Sequence, residues 1–437
     1  MERRLLSDTL FALLLYNTSC YLSIFCYTEI IQIYNTKTII GVTPLKNEEI
    51  IEQYNSAVIG SYGRLDLALE SGSGEQGSSA DGKTYIDFGS GIGTNSLGYA
   101  DREWADAVSE QAHKVQHVSN YYYNSTAGAF AVRLTAMTGT DKLFFGNSGA
   151  EANECAIKIA RKRSFDKYGD PNRTTIITLV NSFHGRTVTT LSATGQEHFH
   201  NYFFPFTPGF KYVQANNIEA LREAIDGSVC AIMFEFIQGE GGVNVLEQSF
   251  VDEIFALAKQ YDLATVSDEV QTGVGRTAKL LAAEHFGVKP DIVTLAKGLG
   301  GGLPIGVCLT RGEYADVLTP GTHGSTFGGN PVVCAGGLVV LKRLSDPAFM
   351  DELQRKAAYF RQSLEALPRV RSVSGLGLML GAELEGAAAA DVLKAALDKG
   401  LLVLTAKTKL RCLPPLTITY EQIDAGMAIL KEVLESI

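Results

Sequence analysis

The chain has no Cys-x-x-Cys pair, a single tryptophan, no long run of lysine and arginine, and no unbroken apolar stretch of membrane-spanning length. Each absence removes a class of protein. Seven cysteines, odd in number and scattered from Cys20 to Cys412, form neither a disulfide framework nor a zinc motif; they read as reduced thiols in a cytoplasmic chain. Histidine is equally sparse, and the lone pair His198 and His200 has no companion ligands, so no metal is expected. The net charge is −10 and basic residues are dispersed, which argues against nucleic acid or an anionic membrane as partner. A small anionic substrate would then be held by a few placed arginines.

The first 45 residues differ from the rest. They are rich in Ile, Leu, Tyr, Asn and Thr and nearly free of Gly and Ala. The apolar run Leu10–Tyr16 is short for a signal peptide and has no small-x-small cleavage site after it. A membrane span needs about 20 apolar residues, and Asp8, Asn17 and Glu29 interrupt this one. The expectation is an extension outside the working protein, disordered or translated from upstream of the true start.

Glycine, by contrast, is abundant: 44 residues, above the usual share of about 7%, many just after apolar runs. From about residue 100 the pattern alternates. Helical spacing is expected around 101–116, 127–138, 151–168, 217–226, 249–261 and 331–345. Apolar strands are expected at 142–145, 175–180, 229–237, 263–268, 292–296 and 305–310. Strands alternating with helices predict an α/β fold with a mostly parallel sheet. After 346 the pattern is helices at 349–366, 388–399 and 421–435 with short strands, a smaller α+β domain. A further helix is expected over 46–60, from Ile50, Ile51, Tyr54 and Val58. Residues 77–84 match a P-loop letter for letter, but polar residues precede them and the strand Tyr85–Phe88 follows, so nucleotide binding is not expected.

Chemistry gathers at the strand ends. Val266-Ser267-Asp268 closes one strand on an acid, and Leu295-Ala296-Lys297 closes another on a base. Pyridoxal phosphate needs both: a lysine amine to hold it as a Schiff base, and a carboxylate to keep its ring nitrogen protonated. Ser148-Gly149-Ala150-Glu151 reads as a capped helix start, suited to a phosphate. Phe183 can cover a flat ring, or belong to the core. Arg186 can fork onto a carboxylate, or form a surface ion pair. Glu235 and Glu240 sit at a further strand end, and Gly298–Gly302 leaves room beside Lys297.

In these motifs the chain resembles the class III aminotransferases of pyridoxal-phosphate fold type I. The likeness runs from about residue 47 to the C-terminus. It rests on Phe145–Glu154, Phe183–Thr187, Gln238–Gly242, Asp268–Arg276 and Ala296–Gly302. It implies a seven-stranded large domain over 101–340 and a smaller domain built from 46–100 and 341–437. It implies Lys297 as the Schiff-base lysine and proton carrier, with Asp268 on the ring nitrogen. Val270 and Phe183 would bracket the ring, and Gln271 would lie near its hydroxyl. Ser148, Gly149 and Ala150 would hold the phosphate, joined by Thr326 of a second subunit, so a homodimer with shared sites is expected. Among substrate contacts, Arg186 would bind the carboxylate remote from the reacting carbon, and Arg411 the α-carboxylate of glutamate. Glu240 would pair with Arg411 when that carboxylate is absent. Ser325 would be a further substrate contact. Gly91 stands where ornithine aminotransferases carry a tyrosine, which would leave room for an acyl group. The implied reaction moves the terminal amine of N-acetylornithine to 2-oxoglutarate, in arginine synthesis. Ornithine, succinyl-diaminopimelate and 4-aminobutyrate remain alternative donors, and an aminomutase is a more distant alternative.

Overall fold

The computed structural model describes residues 45–437; the expectations for residues 1–44 lie outside them. The described chain forms two compact units, residues 45–71 with 78–83, and residues 72–77 with 84–437.

In the smaller unit a helix spans Asn47–Ala57, with Glu48 and Glu49 in its first turn, where the helix dipole favours them. Asn47 ties it down: its Oδ1 accepts from Ala68 N at 2.6 Å and its Nδ2 donates to Asp66 O at 3.2 Å. Ile50, Ile51 and Tyr54 face a cavity of about 410 Å³ that also takes in Tyr62 and Arg64. No residue of this helix is buried. The P-loop-like stretch is a strand and a turn, with Ser79 N bonded to Lys83 O at 2.8 Å, and the turn opens the strand Thr84–Asp87 rather than a helix.

The larger unit is built on a seven-stranded sheet: β1 Lys142–Gly146, β2 Thr175–Leu179, β3 Phe210–Val213, β4 Val229–Phe234, β5 Ala264–Asp268, β6 Ile292–Leu295 and β7 Gly306–Thr310. Their spatial order is β1-β7-β6-β5-β4-β2-β3. Every pairing is parallel except those of β7, which runs against both neighbours. β4, β5, β6 and β7 are buried along their whole length. This explains their continuous apolar reading, since a sheet covered on both faces has no polar side to alternate with. The two-residue period reappears in how they sort. Ile232, Phe234, Val293, Leu295, Val307 and Leu309 enter one core. Ala231, Met233, Ala264, Val266, Ile292 and Cys308 enter the other, beneath the helix Gly149–Tyr168. Each large side chain so buried contributes about 1.5–3 kcal/mol.

The edge strand β3 and the six-residue helix Val188–Ala193 fall between the elements expected from sequence. Four residues of strand after a turn-rich stretch give too little periodicity to find. The larger unit also contains short strands after 346, as expected; they form an antiparallel sheet of Val370–Leu376, Met379–Leu384, Lys409–Cys412 and Leu404–Ala406 in that order. Helices Pro347–Glu365, Ala389–Asp398 and Tyr420–Ser436 accompany it. No helix among the described residues is long and apolar enough to cross a membrane.

Candidate active site

Because β1, β2, β4, β5 and β6 point the same way, their C-terminal ends share one edge of the sheet; β7, running opposite, brings its start there. A cavity of about 450 Å³ opens at this edge. It is lined by Asn147–Ala150 after β1, Phe183–Arg186 after β2, Glu235 after β4, Asp268 with Val270 and Gln271 at β5, Ala296 and Lys297 after β6, and Gly302–Ile305 before β7. Ligand sites in parallel α/β sheets lie at this end.

Lys297 follows β6 with φ of 43°, in the left-handed region that a side chain disfavours. Such strain at a cavity wall is held by the surroundings. Burial pushes its amine pKa down, helped by the charge of Arg411 and opposed by Glu240, which leaves more of it as the neutral nucleophile. Asp268 is buried and receives three donors: Asn153 Nδ2 at 2.7 Å and His184 Nδ1 at 2.8 Å on Oδ2, and Val270 N at 3.0 Å on Oδ1. Glu235, also buried, takes one, Phe183 N at 3.0 Å. Burial and then the nearby charge of Asp268 push the Glu235 pKa well up.

Ser148 caps the helix Gly149–Tyr168, its Oγ accepting from Glu151 N at 3.2 Å. The reciprocal half of the expected capping box is altered. The Glu151 carboxylate reaches past Ser148 to Asn147 N at 2.7 Å and Asn147 Nδ2 at 2.9 Å, with a further bond from Ser148 Oγ at 3.0 Å. Gly149 is required by close approach: a Cβ there would lie 2.6 Å from Val270 Cγ1. Gly306 is required likewise, its would-be Cβ 2.0 Å from Ser148 O. These contacts lock the helix start against β5 and β7.

Arg411, on the second sheet, is buried and bound to Glu240 through Nη1–Oε1 at 2.6 Å and Nη2–Oε2 at 3.3 Å. Gln271 bridges them, accepting from Arg411 Nη1 at 3.2 Å and donating to Glu240 Oε1 at 3.3 Å. Gln271 also lines the cavity, so the ion pair sits one side chain behind it. Arg186 is exposed at the rim, with its guanidinium 3.9 Å from the Phe199 ring centroid and 5.5 Å from that of Phe183. Besides Glu240 and Arg411, three expected residues lie away from the cavity lining: Ser325, Thr326 and Gly91. Ser325 Oγ accepts from Asn147 Nδ2 at 3.1 Å, and Thr326 beside it is exposed. Gly91 has φ of 61° and nothing within 3.5 Å of a would-be Cβ, so space exists but the backbone disfavours a side chain there. Asn153, His184 and Thr94 belong to the site without having been singled out from sequence for it. The first two lie inside motifs already noted, yet nothing local marks their partners.

A lysine and a carboxylate facing one cavity at the strand ends of a doubly wound sheet, beside a capped helix start, define a pyridoxal-phosphate type of transferase site. The family model described as aminotransferase class-III matches residues 61–434, and the chain belongs to that family. It is 52% identical to the acetylornithine aminotransferase of Haemophilus ducreyi over 376 residues, 86% of this chain and 95% of that one. It also resembles the crystal structure of N-acetylornithine aminotransferase from Stenotrophomonas maltophilia, with 33% identity, TM-score 0.76, and 88% and 98% of the two chains covered. A structure of ornithine aminotransferase from Toxoplasma gondii, described with partial occupancy of PLP, superposes with TM-score 0.86 at 32% identity, covering 93% and 97%. The residues present fit pyridoxal phosphate. The cavity has room for a small ring, and it is lined by a lysine with a depressed pKa, an aspartate with an acceptor position left, Val270, Phe183 and a helix N-terminus kept open by Gly149.

Proposed function

We propose that the protein transfers the terminal amino group of N-acetylornithine to 2-oxoglutarate, as a cytoplasmic enzyme of arginine synthesis. When bound, pyridoxal phosphate supplies an electron sink that lets an amino group leave one carbon and be passed to another. The chain's residues do the rest. Lys297 Nζ anchors the group and takes up the proton from the carbon that bears the amine. Asp268 accepts the ring N–H. Phe183 and Val270 bracket the ring, and Gln271 attends its hydroxyl. Ser148, Gly149 and Ala150 receive the phosphate at the positive end of a helix.

The observation that carries the substrate reading is the Arg411–Glu240 pair. An aminotransferase of this kind takes two amines in turn. Acetylornithine reacts at an end with no carboxylate beside the amine; glutamate brings one. A buried arginine facing the first substrate needs another anion, and Glu240 is that anion. When glutamate's α-carboxylate arrives, Glu240 gives way. Arg186, stacked on Phe199 at the rim, takes the carboxylate remote from the reaction in both substrates. Ser325 adds a polar contact, and Gly91 leaves room for the acyl group. Ornithine is the second reading, favoured by the overlap with the Toxoplasma structure.

The working unit in this reading is a homodimer. Tyr121, Tyr122 and Tyr123 are 94%, 74% and 106% exposed, and Phe327 beside Thr326 is 60% exposed. Asn120, next to these tyrosines, donates to Ser325 O at 2.8 Å, so this aromatic surface is continuous with the loop that carries Thr326. A second copy covering it would bring Thr326 to its neighbour's phosphate. The test of the catalytic assignment is Lys297→Ala. The parent chain should convert N-acetylornithine and 2-oxoglutarate to glutamate, and the variant should not. Turnover retained by the variant would overturn it.

A further inference from the structure

Away from the cavity at the strand ends, two cysteines from different elements meet. Cys155 lies on the helix Gly149–Tyr168 and Cys308 on β7, and both are fully buried in the core beneath that helix. Their thiols are hydrogen-bonded to one another, and Cys155 is also hydrogen-bonded to the imidazole of His323. A buried cysteine is ordinarily a small, inert hydrophobe. Cys230, Cys334 and Cys412 are of that kind, and burial pushes their thiol pKa values up. On Cys155 the neighbours act the other way. Donation from Cys308, and then from His323, brings its pKa down to about 6 against the effect of burial, while Cys308 is pushed up because its proton is shared with Cys155. Lys158 completes the cluster: its Nζ donates to Thr322 O at 2.7 Å and lies 2.9 Å from His323 Nδ1. An ammonium group only donates, so Nδ1 accepts and the imidazole hydrogen is on Nε2. A second thiol, a histidine and a lysine together make the electropositive setting in which a thiolate is held.

The pair is within reach of small solutes. Cys308 lines a second cavity, of about 220 Å³, with Phe144, Tyr314 and the exposed ion pair Lys142–Asp316. That is far more than the ~10–15 Å³ one water needs. We propose that Cys155 and Cys308 form a redox-active dithiol, which a hydroperoxide oxidises to a disulfide that loosens the cofactor's phosphate site. The proton between the two sulfurs passes to Cys155, and the Cys308 thiolate at the cavity attacks the peroxide. An S–O bond forms, the O–O bond breaks, and the departing hydroxide takes a proton from solvent. Cys155 then attacks the sulfenic sulfur of Cys308. The S–S bond forms, the S–O bond breaks, and the leaving hydroxide carries off the Cys155 proton as water. The dithiol gives up two electrons and the peroxide takes them. Both cysteines sit on elements that meet at the phosphate site. Cys155 is on the helix that starts at Gly149, and Cys308 stands two residues after Gly306, which packs on Ser148 O. On oxidation His323 loses its thiolate acceptor. It stands two residues before Ser325, whose Oγ accepts from Asn147 Nδ2 at 3.1 Å beside the helix start. This coupling rests on the reading of that helix start as the phosphate site; the dithiol does not.

The test uses the parent chain and one variant. Reduced apoprotein is treated with hydrogen peroxide, freed of it and divided. Peptide mass mapping without reductant reads the bond, and titration with pyridoxal phosphate reads the site. The expected result is a peptide pair linked through Cys155 and Cys308, with cofactor affinity lowered by about tenfold, the loss of one hydrogen bond to a charged group. A phosphine reductant should restore both. Cys155→Ala should form no such link and should keep its cofactor affinity through the same treatment. Cysteines that stay free in the parent, or that pass to sulfinic acid without linking, would overturn the proposal. A link that leaves cofactor affinity unchanged would overturn it too, as would an equal loss of affinity in oxidised Cys155→Ala. The mapping is made on the parent chain, so a variant that does not fold leaves the test standing. Failure of the untreated parent to bind pyridoxal phosphate would overturn the functional reading and the coupling together, a result distinct from normal binding that oxidation does not change.

Discussion

Arg411 is a buried cation that keeps company with a carboxylate 2.6 Å away, and in the proposed reaction that company has to change within each cycle. Removing one partner of a buried pair leaves an uncompensated charge, which costs more than the pair was worth. Glu240→Ala would leave Arg411 with Gln271 and a standing demand for an anion. Glutamate supplies one at the reacting end and acetylornithine does not. The expected result is a rise of about tenfold or more in the kcat/KM ratio of glutamate over N-acetylornithine, from the ~1.5–3 kcal/mol of a hydrogen bond to a charged group. Half-reaction kinetics with each donor measure it; an unchanged ratio would remove the switch. At this scale the sequence was informative wherever chemistry is tied to position along the chain. Lys297 and Asp268 each end an apolar strand, and a charged residue there is conspicuous. Asn153 and His184 were not legible in the same way. Asn153 meets Asp268 across 115 residues of sequence and His184 does so across 84, and only the assembled sheet makes them neighbours.

At the scale of elements, the turn after β5 is pinned by a second buried acid. Glu269, next to Asp268, is fully buried and accepts from Ala282 N at 2.5 Å, Ala283 N at 3.0 Å and Thr272 Oγ1 at 3.3 Å. Burial outweighs these donors and raises its pKa to about 7, from an ordinary value of 4.5. Between those values the folded chain holds a proton that the unfolded chain has released. Stability from this group is therefore fully present below about 4.5 and is lost as pH rises towards about 7, at about 1.4 kcal/mol per unit. Glu269→Gln does not titrate. Its unfolding free energy relative to the parent should rise by about 3 kcal/mol between pH 4.5 and pH 8; a difference that stays flat in denaturant titrations would contradict this. The same scale shows why ten helices were legible and β3 was not. Long amphipathic or capped segments announce themselves. The four residues of Phe210–Val213, at the sheet edge, carry no such period. The close approach at Gly149 and Gly306 was hidden for another reason: each glycine answers a neighbour distant in sequence, Val270 and Ser148.

For the whole molecule, the proposed homodimer places its interface on the exposed aromatics Tyr121–Tyr123 and Phe327. A covered aromatic ring removes about 150–250 Å² from water, enough at about 25 cal/mol per Å² to offset much of the cost of association. The protein should sediment as a dimer. Tyr122→Glu should shift it towards monomer and weaken cofactor retention with it. A variant that stays dimeric and holds its cofactor would place the interface elsewhere. The central claim, an aminotransferase that prefers an acylated ω-amine, is tested most directly by one spectrum. The purified protein with pyridoxal phosphate is mixed, without any keto acid, with N-acetylornithine and separately with ornithine. The account predicts loss of the bound cofactor's long-wavelength band at much lower N-acetylornithine than ornithine concentration. Loss with ornithine alone, or with neither amine, would contradict it.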